Sequence, residues 1–276
     1  SPLSSSSAAS DVYKRQGVMV TASHNPPQDN GYKVYLGGRV VKGDGQGVQI
    51  VPPFDTEIAA AIAAAPAADE VSRDAADGAG VVEEIDTREQ YLARIKQRVT
   101  DGPRQLRITL TPMHGVGGDL ALKALEAVGF GEVELVAQQA QPDPEFPTVA
   151  FPNPEEPGAL DCAIAAAREA QSDIIVALDP DADRCAVAVP DGDSWRQLTG
   201  DETGALLGGY LACQGGVLAN SVVSSRFLGR IAEARGAQWH TTLTGFKWIA
   251  RTPRLTFGYE EAIGYCCDPE AVADKD

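Results

Sequence analysis

The sequence lacks the marks of a membrane or exported protein. None of its apolar runs is long enough to cross a bilayer, and no basic segment leads into an apolar one at the start. Positive charge is also scarce, since the chain has 23 lysines and arginines against 39 acidic residues and a net charge of −16. Such a chain repels nucleic acids and anionic membranes. We therefore expect a cytoplasmic protein with neither as a partner, whose phosphate-bearing ligands are small and met by local positive groups or a metal.

The cysteines are few and contain no CxxC pair. Three of them lie in apolar or helical surroundings, where small buried thiols are expected. An odd number without a paired spacing predicts neither disulfides nor a zinc site. The five are Cys162, Cys185, Cys213, Cys266 and Cys267.

Strand-like and helix-like segments alternate from Arg107 onward, which is the pattern of α/β construction. The sequence predicts consecutive α/β units with mixed sheets between helices. The Ser/Ala-rich residues 1–16 are expected to be disordered or non-native, and residues 67–80 read as an acidic linker. The predicted units are 17–100, 101–199 and 200–276, of which the first and third are expected to be incomplete.

Periodicity and end signals place the elements within these units. The predicted helices are 55–65, 86–99, 117–128, 159–170, 201–213 and 226–235. The predicted strands after residue 107 include 132–136, 173–178, 185–189, 217–223 and 255–258.

A stiff loop near the start carries a serine between two short apolar segments. Residues 17–35 read GVMVTASHNPPQDNGYKVY, which predicts a strand, a loop and a second strand. The two prolines fix φ and remove N–H donors, so the loop cannot join either strand. Ser23 stands beside His24, with Lys33 on the returning strand, an arrangement suited to carrying a group and passing it on. An ordinary loop serine is the alternative.

Three aspartates follow the apolar strand 173–178 in the sequence DPDADR. Asp179, Asp181 and Asp183 should emerge at the carboxyl end of a sheet, where α/β proteins bind ligands. Close carboxylates repel one another unless a cation lies among them, and all-oxygen ligation favours Mg²⁺. A solvated acidic loop is the alternative, but the preceding strand and the following Arg184 favour a metal site.

Other polar side chains are less informative singly. Glu260 and Glu261 lie in a Gly-bounded loop after a predicted strand, where paired carboxylates could accept hydrogen bonds from sugar hydroxyls. Lys247, in TGFKW, could approach a phosphate. His114, in a Gly-rich turn, is read as a turn histidine rather than a ligand. Taken alone, the glutamates and the lysine are also typical of solvated turns and surfaces.

Taken in order, these motifs resemble those of the α-D-phosphohexomutases, which include phosphoglucomutases and phosphomannomutases. The matching segments are TASHNP, NGYK, DPDADR, the TGFK loop and the Gly-Tyr-Glu-Glu loop. The variants TLTGFKWIA and EEAIGY look most like the branch that holds phosphopentomutase and glucose-1,6-bisphosphate synthase. The resemblance extends from about residue 17 to the C-terminus.

The resemblance implies an isomerase that interconverts sugar 1-phosphate with sugar 6-phosphate or pentose 5-phosphate. In such enzymes a phosphoserine gives its phosphoryl group to a sugar monophosphate, and the resulting bisphosphate returns its other phosphate to the serine. The implied cofactors are one Mg²⁺ per chain and a glucose 1,6-bisphosphate-type primer. The implied partner is a small phosphosugar, and the oligomeric state stays open.

The resemblance also assigns roles to residues. Ser23 would be the phosphoserine and would contact the metal held by the three aspartates. Lys33 would serve proton transfer or charge stabilisation. The other implied positions are His24 and Arg184, which would steady the phosphoserine and metal loops, and the substrate-binding set Arg184, Gly245, Lys247, Glu260 and Glu261, of which Glu260 would decide sugar preference.

The chain departs from the pattern of this family in three places. The family usually has about half a domain before TASHNP and a fourth, phosphate-clamping domain after the third. We therefore expect a fragment with little turnover of its own. Ala262 stands where many relatives have Ser, which agrees with the pentomutase-like branch and leaves the sugar open.

Two other functions remain as alternatives. LDPDADR could be the nucleophile segment of a haloacid-dehalogenase-like aspartyl phosphotransferase, which would leave TASHNP and GYEEAIGY without a role. A non-catalytic fragment that binds sugar phosphates is the other.

Overall fold

The computed structural model describes residues 16–26, 28–67, 69–70, 83–212 and 216–275. Within these ranges the strands form sheets of two, four and five strands, and the predicted mixed α/β architecture is confirmed. The expectations for residues 1–15, for most of the 67–80 linker and for Cys213 lie outside the described residues. No helix in the described part of the chain is both long and apolar enough to span a bilayer.

The first part of the chain forms an antiparallel hairpin. β1 (Gln16–Val20) pairs with β2 (Tyr32–Leu36), and the loop between them is closed by the Thr21 N–H, which donates to the Gly31 carbonyl at 3.0 Å. This hairpin presents the serine loop predicted from the sequence. A 3₁₀ turn at Gly43–Gly45 follows, and then α1 (Phe54–Ala64) and α2 (Arg88–Arg98).

The five-stranded sheet occupies the middle of the chain. Its order is β4-β3-β5-β6-β7. Strand β3 is parallel to both β4 and β5, β6 is antiparallel to β5, and β7 is antiparallel to β6. The interior strand β3 is buried along its whole length, as expected of a strand covered on both faces. The elements are β3 (Ile108–Thr111), α3 (Gly118–Ala127), β4 (Val133–Leu135), α4 (Asp161–Ala170), β5 (Ile174–Leu178), β6 (Cys185–Asp191) and β7 (Ser194–Gln197).

The hairpin between β5 and β6 shapes the acidic loop. Leu178 pairs with Cys185, so residues 179–184 must turn the chain within one short loop. The Ala182 N–H donates to the Asp179 carbonyl at 2.9 Å, and Ala182 adopts φ +59°. This tight turn brings the three aspartates close together.

The four-stranded sheet has the order β11-β10-β8-β9. Its helix α5 begins with a capping box between Thr199 and Glu202, and β8 is buried along its whole length. β10 ends at Glu260, so this glutamate belongs to the strand rather than to the loop in which the sequence placed it. The elements are α5 (Gly200–Leu211), β8 (Val217–Ser221), α6 (Phe227–Arg235), β9 (Gln238–Thr242), α7 (Phe246–Ile249), β10 (Phe257–Glu260) and β11 (Gly264–Cys266).

One apolar cluster joins the two larger sheets. Ile175 of β5, Leu218 of β8 and Tyr259 of β10 all belong to it and are fully buried. Because protein cores are close-packed, this shared cluster fixes the two sheets relative to each other. The loops at their strand ends are therefore held together as well.

Gly115 allows the turn after β3 to approach the acidic loop. The Val116 N–H donates to the Pro180 carbonyl at 2.9 Å, and a Cβ at position 115 would meet Pro180 Cα at 2.4 Å and Pro180 O at 2.5 Å. These are backbone atoms, so relief of the clash would move the 179–184 loop. We expect Gly115→Ala to lower the free energy of unfolding by about 1–3 kcal/mol, measured by urea denaturation.

Gly131→Ala is the matched control, because a Cβ there would meet nothing within 4 Å. Equal losses of stability in the two variants would contradict the close approach at Pro180.

Candidate active site

Three carboxylates converge in the loop after β5. Asp179, Asp181 and Asp183 each offer one carboxylate oxygen within 4.8 Å of the others. Asp179 is fully buried, and its Oδ1 accepts the Arg184 backbone N–H at 3.0 Å. Burial, together with the charges of the two neighbouring aspartates, raises the pKa of Asp179 to about 8. The cluster is therefore short of positive charge.

The remaining oxygens of this cluster fit a divalent cation. Oδ1 of Asp181 and Oδ1 of Asp183 are buried and accept no hydrogen bond within the described part of the chain. Buried acceptors without a partner are costly, and ligation of a cation would satisfy them. A set of carboxylate oxygens suits Mg²⁺ better than a metal that prefers nitrogen or sulfur.

The serine loop faces this cluster directly. Ser23 Oγ lies 3.4 Å from Asp179 Oδ2, and Thr21 Oγ1 donates to Asp181 Oδ2 at 2.7 Å. Thr21 Oγ1 also accepts the Ser23 N–H at 2.8 Å, and Ser23 adopts φ +55°, which non-glycine residues rarely do. Two loops that are distant in sequence thus hold a hydroxyl against the carboxylates.

His24 borders the same hydroxyl. Its Nδ1 lies 3.1 Å from Ser23 Oγ, and its ring packs edge-on against Phe151 with 5.8 Å between centroids. Burial and the positive charge of Arg184 lower the pKa of His24. A neutral imidazole in this place can accept the Ser23 proton or return it.

Two lysines partly compensate the charge of the acidic cluster. Lys33 Nζ lies 2.5 Å from Asp183 Oδ2 and 3.6 Å from Asp181 Oδ2. Lys275 Nζ lies 3.1 Å from the same Asp183 oxygen and 3.4 Å from Glu260 Oε1. Burial alone would lower the pKa of Lys33, but Asp183 outweighs it and raises the pKa. Lys275 was missed in the sequence, because it stands in the acidic tail DKD outside every recognisable element.

The two neighbouring glutamates have different surroundings. Glu260 is buried beside Lys275, and burial raises its pKa although the lysine opposes the shift. Glu261 Oε2 accepts from Ser221 Oγ at 2.8 Å and from Ser224 Oγ at 2.7 Å. The Glu261 carboxylate therefore ties the turn after β10 to the end of β8, while Glu260 faces the charged residues of the site.

The other sequence-predicted positions lie around this centre. Gly245, at φ +105°, precedes α7, and Arg251 Nη1 ties this helix to the Gln49 carbonyl at 3.0 Å. Within the described residues the Lys247 side chain makes no hydrogen bond or ion pair, so the structure does not join it to the aspartates. Arg184 Nε is buried and has no partner among the described residues, which leaves a donor for an anion.

His114 lies in the turn after β3, as the sequence predicted. It is buried, and its Nε2 lies 2.9 Å from Thr148 Oγ1.

A cavity of about 310 Å³ opens between the hairpin and the acidic loop. Its lining includes Lys33, Tyr35, Asp181, Asp183 and Lys275. The cavity thus presents positive and negative groups to one small space, which suits a small, charged ligand.

Comparison with known proteins gives matches along most of the chain. Residues 3–69, 89–192 and 199–276 match, respectively, the models of domains I, II and III of phosphoglucomutase/phosphomannomutase, each described as an alpha/beta/alpha domain. A probable phosphomannomutase of Haemophilus influenzae is 47% identical over 265 residues, which cover 94% of this chain and 53% of that protein.

Two further comparisons agree with these matches. The phosphopentomutase of Homo sapiens is 37% identical over 290 residues, which cover 94% of this chain and 46% of that protein. The crystal structure of a putative phosphomannomutase from Thermus thermophilus is 28% identical with a TM-score of 0.72, and the match covers 98% of this chain and 59% of that one. The chain thus spans about half the length of the curated relatives it matches.

The acidic cluster predicts divalent-cation binding that depends on each aspartate. We expect Asp181→Asn to weaken Mg²⁺ or Mn²⁺ binding by roughly tenfold or more, about 1.4 kcal/mol, because it removes one ligand charge. Isothermal titration calorimetry measures this. Asp191→Asn is the control, since Asp191 is exposed at the far end of β6 and the same charge is removed. An equal loss in both variants would show that net charge, not ligation, sets the affinity.

The raised pKa of Asp179 predicts a pH dependence of stability in metal-free protein. The folded chain holds this proton more tightly than the unfolded chain, so its contribution is fully present below the ordinary value of 3.8 and is lost as pH rises toward about 8. Asp179→Asn carries no such charge. We expect its free energy of unfolding to rise relative to wild type from about pH 5 to about pH 8 in EDTA. A pH-independent difference would contradict the assignment.

Proposed function

Because the chain belongs to the phosphoglucomutase/phosphomannomutase family, we propose that its protein is a phosphosugar mutase that works through a phosphoserine at Ser23. The reaction moves a phosphoryl group between the 1-hydroxyl of a sugar and its 6-hydroxyl, or the 5-hydroxyl of a pentose, through a bisphosphate intermediate. The observation that carries the proposal is the approach of Ser23 Oγ to Asp179 Oδ2 at 3.4 Å. At this distance the hydroxyl and the three carboxylates could share one divalent cation.

A phosphorylated Ser23 would place a second negative group beside the three carboxylates, so the site must supply positive charge. A phosphoseryl group carries about −1.5 to −2 charge near neutral pH, and three carboxylates beside it would repel it. When bound, Mg²⁺ would offset this repulsion and the charge on the transferring group, with Asp179, Asp181 and Asp183 as its ligands. Arg184, through its unpartnered buried Nε, adds a donor for phosphate oxygens.

The transfer step exchanges one oxygen–phosphorus bond for another. The bond between Ser23 Oγ and phosphorus breaks while a bond from a sugar hydroxyl oxygen to phosphorus forms, and overall the hydroxyl proton passes to Ser23 Oγ. His24 Nδ1, 3.1 Å from that oxygen, is placed to hand over the proton and to take it back in the return step. Lys33 keeps its charge beside Asp183, which favours charge stabilisation over its alternative role in proton transfer.

We assign the sugar to the side of the cluster that faces Glu260. Its buried carboxylate, next to Lys275, would accept hydrogen bonds from sugar hydroxyls, and a glucose 1,6-bisphosphate-type primer would load Ser23. The similarity to a phosphomannomutase and to a phosphopentomutase supports a phosphosugar as the substrate class.

Trapping the phosphoenzyme tests the proposal. With labelled glucose 1,6-bisphosphate and Mg²⁺, we expect one hydroxylamine-resistant phosphate at Ser23, located by peptide mass spectrometry. Ser23→Ala should lose the label. Ser194→Ala should keep it, because Ser194 is the exposed first residue of β7.

The other outcomes separate the alternatives. A hydroxylamine-labile label on Asp179 would establish the aspartyl phosphotransferase. If the protein binds the bisphosphate but no residue becomes labelled, the result supports a non-catalytic fragment that binds sugar phosphates.

A further inference from the structure

Residues 267–275, which we call the strap, follow β11 and return to the acidic cluster. The strap contains no helix or strand. Its turn is closed by the Ala271 and Val272 N–H groups, which donate to the Asp268 carbonyl at 2.9 and 3.0 Å. An irregular segment of this kind is kept in place mainly by contacts to other elements. The strap has such contacts at both ends.

The first end is anchored on helix α2. Arg94 Nε and Nη2 donate to the two carboxylate oxygens of Asp268 at 2.6 and 2.8 Å, and Arg98 Nε lies 3.6 Å from Asp268 Oδ1. Asp268 is only 6% exposed. A two-pronged bond to a buried carboxylate fixes both distance and direction, and loss of Arg94 would leave that charge with only the longer contact to Arg98.

The second end reaches the proposed active site. The Tyr35 hydroxyl donates to Asp274, and the next residue places Lys275 Nζ 3.1 Å from Asp183 and 3.4 Å from Glu260. The Lys275 side chain is 10% exposed. The strap therefore carries the one cation that contacts both a metal-binding aspartate and the glutamate assigned to the sugar, among the described residues.

We propose that Arg94 is a positioning residue: through Asp268 it holds the strap so that the Lys275 ammonium stays between Asp183 and Glu260. The catalytic meaning of this placement rests on the proposed function, but the placement itself does not. Arg94 pairs with strap residues and not with the acidic cluster, so its influence on Lys275 must pass along the strap. Lys33 contacts the same Asp183 oxygen from β2, which lies outside the strap.

Lysine acylation of the full chain in EDTA, with reaction rates read by peptide mass spectrometry, tests the placement. In Arg94→Met we expect Lys275 to react about fivefold faster or more, while Lys33 changes by less than about twofold, because only the strap is released. Exposed Lys96 and Lys123 serve as internal references. Arg88→Met is the control variant, since Arg88 lies on the same helix in an exposed pair with Asp86 and should leave Lys275 protected.

Two further variants keep the test decisive if Arg94→Met does not fold. Arg94→Lys, which cannot donate in the two-pronged geometry, should partly expose Lys275. The double variant Arg94→Asp with Asp268→Arg should restore its protection.

The proposal is overturned if Lys275 stays protected in both single variants that remove the guanidinium, or if Lys33 and Lys275 become reactive together, as general loosening would cause. If the protein shows the expected acylation pattern but never forms phosphoserine, the positioning role of Arg94 is supported and the proposed mutase activity is overturned.

Discussion

Repulsion among three closely spaced carboxylates is the constraint around which this structure is organised. Asp179, Asp181 and Asp183 lie within ligand distance of one another, and one of them is fully buried. Like charges this close are tolerated only where positive groups or a bound cation compensate them. The compensation comes from two different parts of the chain, since Lys33 is on β2 and Lys275 is on the strap. The cluster thus ties distant segments together and defines where a ligand can lie.

The backbone makes this concentration of charge possible. The antiparallel return from β5 to β6 compresses the acidic loop, and the Gly115 turn packs against Pro180 without a Cβ between them. The apolar cluster shared by the two larger sheets then fixes the loop relative to β10, which carries Glu260. Rigid strands and a tight turn hold the charged groups at distances that separate hydrated side chains would not keep.

The parts of the site that the sequence predicted are those encoded locally. The aspartates follow an apolar strand within a few residues, and Ser23 lies in a proline-stiffened loop, so short patterns are enough to make both candidates. The hairpin partner β7 and the end of β10 at Glu260 depend on pairing between strands, which periodicity does not specify. Lys275 shows most clearly what the sequence does not predict, because its place in the site arises only from contacts with residues far away in the chain.

Glu260 and Glu261 are adjacent and chemically identical, so only the folded structure shows how their surroundings differ. In a strand, successive side chains point to opposite faces, and the turn after β10 gives each carboxylate its own surroundings. Burial alone would raise the pKa of Glu261, but the hydroxyls of Ser221 and Ser224 both donate to its Oε2 and lower the pKa. Glu260 meets a lysine in a buried place instead. The serines fix the turn, and that fixed turn leaves Glu260 as the carboxylate that faces Lys275 and the acidic cluster.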